Sequence, residues 1–273
     1  MTADTSAAPM FARLLLTGAA GGLGRELRTR LKAHCGVLRL SDIAELGTAA
    51  PGEEVMPAAL EQPAAVHALL EGVDAVVHLG GVSVEGPFEP ILQANIVGVY
   101  NLYEAARKHR VRRIVFASSN HVTGFYRQDE VIDATMPMRP DGYYGISKAF
   151  GENMAQFYFD RYGIETVSLR IGSSFPEPKD RRMLATWMSF ADLERLVVAS
   201  LTAPVVGHSV IYGMSDNTTT WWDNTAARHI GYRPQDSSEP FRAALTARQP
   251  TIDPTDPVAK FQGGGFCVKG PFD

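Results

Sequence analysis

Tyr144-Gly-Ile-Ser-Lys148 sets a phenol and an ammonium group four residues apart. On an α-helix that spacing puts both on one face, so their heads can enter one cavity. A free tyrosine gives up its proton only at about pH 10. A neighbouring cation favours the phenolate and makes the hydroxyl usable as a general base. Such a spacing also arises by chance, and its weight comes from its company. Gly18-Ala-Ala-Gly21-Gly22-Leu23-Gly24 lies near the amino end, and Ser118-Ser119-Asn120-His121 about one βα unit before the pair. Glycines so spaced let the backbone turn tightly against a pyrophosphate, whose charge then meets the amides of the next helix N-terminus. The combined chemistry is proton removal beside a bound dinucleotide.

These residues need strands and helices to position them. Phe11–Thr17 is an apolar run ending in glycines, the pattern of a buried parallel strand. Leu23–Ala33 has a helical stripe of Leu23, Leu27 and Leu31, and Val37–Ser41 is a second strand with Asp42 at its end. A carboxylate there can accept hydrogen bonds from an adenosine ribose and repels a 2′-phosphate, which favours NAD over NADP. Further strands are expected at Glu54–Met56, Val73–Leu79, Arg113–Ala117 and Glu165–Arg170. Helices are expected at Glu61–Glu71, Pro87–His109 and Tyr143–Tyr162. Alternating strands and helices imply a doubly wound parallel sheet of Rossmann type. Leu79, Gly80 and Gly81 end the fourth strand and would let the dinucleotide approach; Ala59 and Leu60 would pack beside its adenine, with Ile43 after Asp42. After Ile171 the chain turns to loops, helices near Asp192–Thr202, Trp222–His229 and Glu239–Ala247, and a strand near Ser209–Tyr212. These pieces are expected to cap the sheet without extending it, giving a dinucleotide-binding domain over 11–171 and a small substrate-binding cap over 172–273.

The 273 residues are 45% hydrophobic, enough for a substantial core. A net charge of −4 and scattered basic residues argue against nucleic acid or an anionic membrane as partner. Cys35 and Cys267 match no metal spacing and read as reduced thiols of a cytoplasmic protein, and no metal site is expected. The first ten residues look like a loose tail and not a signal peptide, and no apolar run is long enough to span a bilayer.

From Arg13 to Arg170 the sequence resembles the extended short-chain dehydrogenase/reductase family. The resemblance is carried by the glycine turn, Asp74-Ala-Val-Val-His78-Leu-Gly, Gln93-Ala-Asn95-Ile-Val-Gly98-Val-Tyr-Asn101, Val115-Phe-Ala-Ser118-Ser119 and Pro140-Asp-Gly-Tyr-Tyr144-Gly-Ile-Ser-Lys148. It implies nicotinamide-linked hydride transfer by Ser119, Tyr144 and Lys148, with Asn95 steadying the site and Ile171 beside the cofactor. Many extended members act on nucleotide-diphosphate sugars and read Val-Tyr-Gly after the serines. Here Asn120-His121-Val122 stands instead, and Ile171-Gly172-Ser173-Ser174-Phe175 replaces the usual turn after Arg170. Those departures look like the uronate dehydrogenases, as do Arg181-Arg182, Thr186-Trp187-Met-Ser189 and Phe261-Gln-Gly-Gly-Gly-Phe266-Cys267. The resemblance implies NAD-dependent oxidation of D-galacturonate and D-glucuronate at the anomeric carbon to an aldarolactone, and a homo-oligomer by analogy.

A uronic acid offers a hemiacetal hydroxyl at C1 and a carboxylate at C6. Tyr144 is expected to take the C1 hydroxyl proton, with Lys148 lowering the tyrosine's pKa and Ser119 holding the same hydroxyl. Arg182 is the expected carboxylate anchor because guanidinium grips carboxylate in a two-pronged fork. Ser173 would assist it, while Ser83, Asn120 and His121 would meet ring oxygens.

Overall fold

The computed structural model describes residues 10–249 and 253–272; the expected tail at residues 1–9 lies outside them. The chain opens with β1 (Phe11–Thr17), α1 (Gly22–Leu31), β2 (Cys35–Ser41) and the short β3 (Glu53–Val55). Then come α2 (Pro63–Leu69), β4 (Ala75–His78) and a long helix made of α3 (Phe88–Ile91), a π-helical stretch over Leu92–Val97, and α4 (Gly98–His109). β5 (Arg113–Ser119), the two-residue β6 (Ile132–Asp133), α5 (Tyr143–Tyr162) and β7 (Glu165–Ile171) follow. The remainder holds β8 (Ser173–Ser174), α6 (Met183–Thr186), β9 (Trp187–Met188), α7 (Phe190–Thr202), β10 (His208–Gly213), β11 (Trp222–Asp223), α8 (Arg242–Arg248) and α9 (Pro257–Lys260).

The main sheet has the order β10-β7-β5-β4-β1-β2-β3, and all its pairings are parallel. Strands covered on both faces need continuous apolar sequence, and Leu14, Leu15 and Leu16 of β1 are accordingly buried. On one face Leu27 and Leu31 of α1 pack with Leu193, Leu196 and Val197 of α7. On the other, Val66 and Leu69 of α2 join Leu102 and Tyr103 of α4 and Ala155 and Tyr158 of α5. The register aligns Thr17 with Ser41 on one side and His78 on the other, and Ser119 with Ile171. β1, β2 and β4 therefore end at one level, β5 and β7 run three residues past it because His78 pairs with Phe116, and between β1 and β4 the winding reverses. In such sheets ligands bind at that edge.

Two expectations are corrected. The strand near Ser209–Tyr212 does extend the sheet: β10 pairs with β7 from His208 against Thr166 to Gly213 against Ile171. With α7 packed beside α1, part of the expected cap belongs to the main layers. The helix expected over Trp222–His229 instead begins as β11, paired with β6, and becomes a 3₁₀ turn at Thr225–Ile230. Trp221 and Trp222 drive this, because they fill a separate apolar cluster with Tyr126, Ile132 and Tyr212. Among the described residues no helix is long and apolar enough to cross a membrane, and no group of three or more candidate ligands could hold a metal ion.

Candidate active site

A cavity of about 1040 Å³ opens at the carboxyl ends of the strands. Its walls include Gly18, Gly21, Gly22, Leu23, Gly24, Asp42, Ile43, Leu60, Leu79, Gly80, Gly81 and Ile171 from the expected dinucleotide set. Ser83, Ser119, Asn120, His121, Tyr144, Lys148, Ser173 and Arg182 line the same space.

The sheet-edge half has the form of a dinucleotide cradle. Gly18 sits at φ +69°, and a Cβ there would stand 2.6 Å from the Leu79 carbonyl carbon, so only glycine lets the two turns meet. At Gly22 a Cβ would meet no atom within 4 Å; it would project into the open space at the start of α1, where a phosphate can lie. The Asp42 carboxylate accepts from Ala20 N–H and Ala44 N–H, both at 3.0 Å. That fixes it at the cavity wall with lone pairs left for ribose hydroxyls. Thr17 Oγ1 lies 2.7 Å from His78 Nδ1 and accepts from Gly80 N–H at 3.1 Å, tying the glycines to the strand ends. Burial holds His78 neutral, its pKa pushed down to about 3.

At the reactive end, Glu85 accepts from the N–H groups of Tyr143 (2.9 Å) and Tyr144 (2.8 Å) and so caps α5, whose N-cap Gly142 has no side chain. This fixes the first turn, and Tyr144 and Lys148 project from one face. Lys148 Nζ lies 5.6 Å from the Tyr144 ring centroid and 5.2 Å from that of Phe116. Burial pushes the phenol up to about 12, against the pull of Ser119, and pushes Lys148 down to about 8. Desolvation disfavours each charged form, and the nearby Asp141 charge raises the phenol further.

Arg182 lines the same cavity. Its Nε donates to the Gln262 carbonyl at 2.7 Å, and Nη1 to Ser173 Oγ at 3.2 Å. The Asn120 amide, oriented to satisfy its neighbours, accepts from Nη2 at 2.8 Å and donates to the Ile171 carbonyl at 3.0 Å. All three acceptors are neutral, and among the described residues Arg182 forms no ion pair. Three of five N–H groups are engaged; two remain, one on each terminal nitrogen, the number a carboxylate takes.

Residues 14–204 match the NAD dependent epimerase/dehydratase family. The chain is 62% identical over 264 residues to the uronate dehydrogenase of Pseudomonas putida, covering 96% of this chain and 98% of that one. The chain belongs to that family, on its uronate dehydrogenase branch. The Agrobacterium fabrum uronate dehydrogenase is 52% identical, over 93% of this chain and 96% of its own. A crystal structure of uronate dehydrogenase from Agrobacterium tumefaciens superposes with a TM-score of 0.93 at 51% identity, covering 95% and 98% of the two chains. A tyrosine-to-alanine variant from the same organism, complexed with NAD, gives a TM-score of 0.92 at 51% identity and 94% and 97% coverage.

Two expected residues do not line the cavity. Ala59 is not part of its wall, whereas its neighbours Ala58 and Leu60 are. Asn95 has its amide fully used: it accepts from Val82 N–H at 2.7 Å and donates to the Val82 carbonyl (2.9 Å) and Ser147 Oγ (2.8 Å). It clamps the loop after β4 onto α5 from behind. Phe266, for which lining the site and core packing are both open from the sequence, lines the cavity, as does Lys269, and Asp141 stands behind them. Phe266 stacks on His121 with ring centroids 3.8 Å apart, and Lys269 Nζ covers its ring at 4.4 Å. Asp141 sits beneath His121, its Oδ2 2.6 Å from Nδ1.

Proposed function

We propose that this chain is an NAD-dependent uronate dehydrogenase that oxidises D-galacturonate and D-glucuronate at C1 to the aldarolactone, which then opens to the aldarate. The observation that carries the substrate class is Arg182, a cation on the wall of the cavity that Tyr144 also lines, held by neutral acceptors and keeping two N–H groups free. A site for a neutral sugar has no use for an unpaired guanidinium, whose partial burial costs free energy.

In this reading Arg182 grips the C6 carboxylate with help from Ser173, and the sugar ring spans to Tyr144. Asn120, His121 and Ser83 meet its hydroxyls. Ser119 and Tyr144 hold the C1 hydroxyl, and Tyr144 takes its proton. Bound NAD supplies the hydride acceptor for C1 and, on its oxidised ring, a positive charge. Tyr144, with its pKa near 12 in the protein alone, needs such a neighbouring cation to act as a base at neutral pH. Lys148 adds to that charge while protonated and is placed to hold the nicotinamide ribose. Asp42 takes the adenosine ribose.

The test is formation of NADH with galacturonate, glucuronate and glucose in parallel. Turnover of both uronates with glucose inert is expected. No NADH from either uronate would sink the reading. We also infer a homo-oligomer working in the cytoplasm: Tyr100 on α4 and Ile146, Phe157 and Tyr162 on α5 leave an exposed apolar face suited to a second copy, and Cys35 and Cys267 are unpaired.

A further inference from the structure

Asp141 lies immediately before the turn that starts α5, its side chain fully buried. A buried carboxylate needs partners, and this one is poorly supplied. Oδ2 lies 2.6 Å from His121 Nδ1 and 4.0 Å from the Cys267 thiol, while Oδ1 has no partner among the described residues. The surroundings are nevertheless shaped around it. A Cβ on either Gly124 or Gly263 would overlap Asp141 Oδ2, so two separate segments of chain leave room for the carboxylate. Such an arrangement has a cost in stability that packing alone does not explain.

Its effect falls on His121. A carboxylate oxygen can only accept, so Nδ1 must carry the proton. His121 is held neutral, because burial lowers its pKa more than Asp141 raises it. A neutral imidazole protonated at Nδ1 has a lone pair at Nε2. Among the described residues that atom has no hydrogen-bond partner, it is not sealed off, and the ring lines the cavity beside Tyr144. Phe266 stacked on the ring at 3.8 Å, with an interplanar angle of 18°, removes the remaining rotational freedom.

We propose that Asp141 is a positioning residue that locks His121 in the Nδ1–H form, so that His121 presents an acceptor, never a donor, to a hydroxyl of the bound sugar. An acceptor is useful here: Arg182 offers only N–H groups, which the carboxylate takes, and a ring hydroxyl needs somewhere to send its own proton. His121 supplies that place. The proposal rests on the cavity being a uronate site.

The test uses the full-length protein in two ways. In the wild type, nitrogen-15 NMR of labelled histidines reads the tautomer directly. The expected result is a His121 signal of the Nδ1–H form, although free histidine in water favours Nε2–H. A His121 in the Nε2–H form would overturn the proposal, and this needs no variant to fold. In Asp141→Asn the lock is lost, because an amide can face Nδ1 with either its oxygen or its nitrogen. The expected effect is a rise of about tenfold in the KM for galacturonate, with kcat and the KM for NAD each within about threefold of wild type. An unchanged uronate KM overturns the proposal, and so does an equal loss in both KM values, which marks a merely structural role. A wild type that turns over neither uronate fails the site reading instead, and the tautomer measurement keeps the two failures apart.

Discussion

Replacing Arg182 with alanine tests the substrate assignment most directly. The guanidinium has two N–H groups left for a ligand after serving Gln262, Ser173 and Asn120. A charge-assisted hydrogen bond contributes about 1.5–3 kcal/mol. Two of them, reduced by water that fills the space left by the side chain, give a loss of about 3–4 kcal/mol in transition-state binding. That is roughly two to three orders of magnitude in kcat/KM for galacturonate, carried mainly by KM because the carboxylate is distant from the reacting carbon. Initial rates of NADH formation across a substrate series measure it. A neutral sugar such as galactose is the internal control. It lacks the carboxylate, so its slow turnover should change by less than about threefold. Arg182→Lys keeps the charge without the planar fork and should fall between. If Arg182→Ala stays within about fivefold of wild type on galacturonate, or if uronate and galactose lose activity equally, the carboxylate is held elsewhere.

Three further outcomes are expected. Tyr144→Phe should lower kcat by about a thousandfold while leaving NAD affinity nearly intact, as measured by calorimetric titration; substantial residual turnover would move the base to another group. Asp42→Ala should raise the KM for NAD about tenfold and narrow its advantage over NADP, whereas an unchanged preference would remove Asp42 from the ribose contact. Lys148→Met should abolish turnover yet stabilise the fold by ~2–3 kcal/mol in urea unfolding at neutral pH. The sign follows from burial, which lowers Lys148 from 10.5 to about 8, so the native state resists a proton that the unfolded chain accepts. Wild-type stability should therefore rise relative to the variant as pH goes from about 8 to 10.5, and a constant difference would refute the argument.

Much of this was legible in the sequence because the signals are local. The glycine turn, Asp42 at a strand end and the Tyr144–Lys148 spacing each sit within a single element or its boundary, and the cavity gathers them. What escaped depends on contacts between distant segments. β10 was readable as a strand, but its place beside β7 is set by pairing across about forty residues of loop and helix. Trp222 lies in a stretch with helical character and becomes a strand because its ring stacks on Tyr212 at 4.9 Å. The Asn95 motif was recognised, but its true target, the Val82 backbone, is visible only once the loop is folded. Asp141 and Phe266 carry no periodic signal; they matter because each touches His121 from a different part of the chain. Burial at Tyr144 is equally invisible to spacing, which reports a neighbour's charge but not the depth of burial that opposes ionisation.

Gln262 ties the carboxyl segment into place. Its amide donates to the carbonyls of Arg127 and Glu130, both at 2.9 Å, and its oxygen accepts from Trp222 Nε1 at 2.9 Å, while its own carbonyl holds Arg182. The two ends of the cavity are therefore held by different parts of the chain: the dinucleotide end by turns within residues 18–171, the sugar-acid end partly by residues 263–269, which Gln262 fastens to Arg127, Glu130 and Trp222. Loosening that one glutamine would open the substrate end while leaving the coenzyme end untouched.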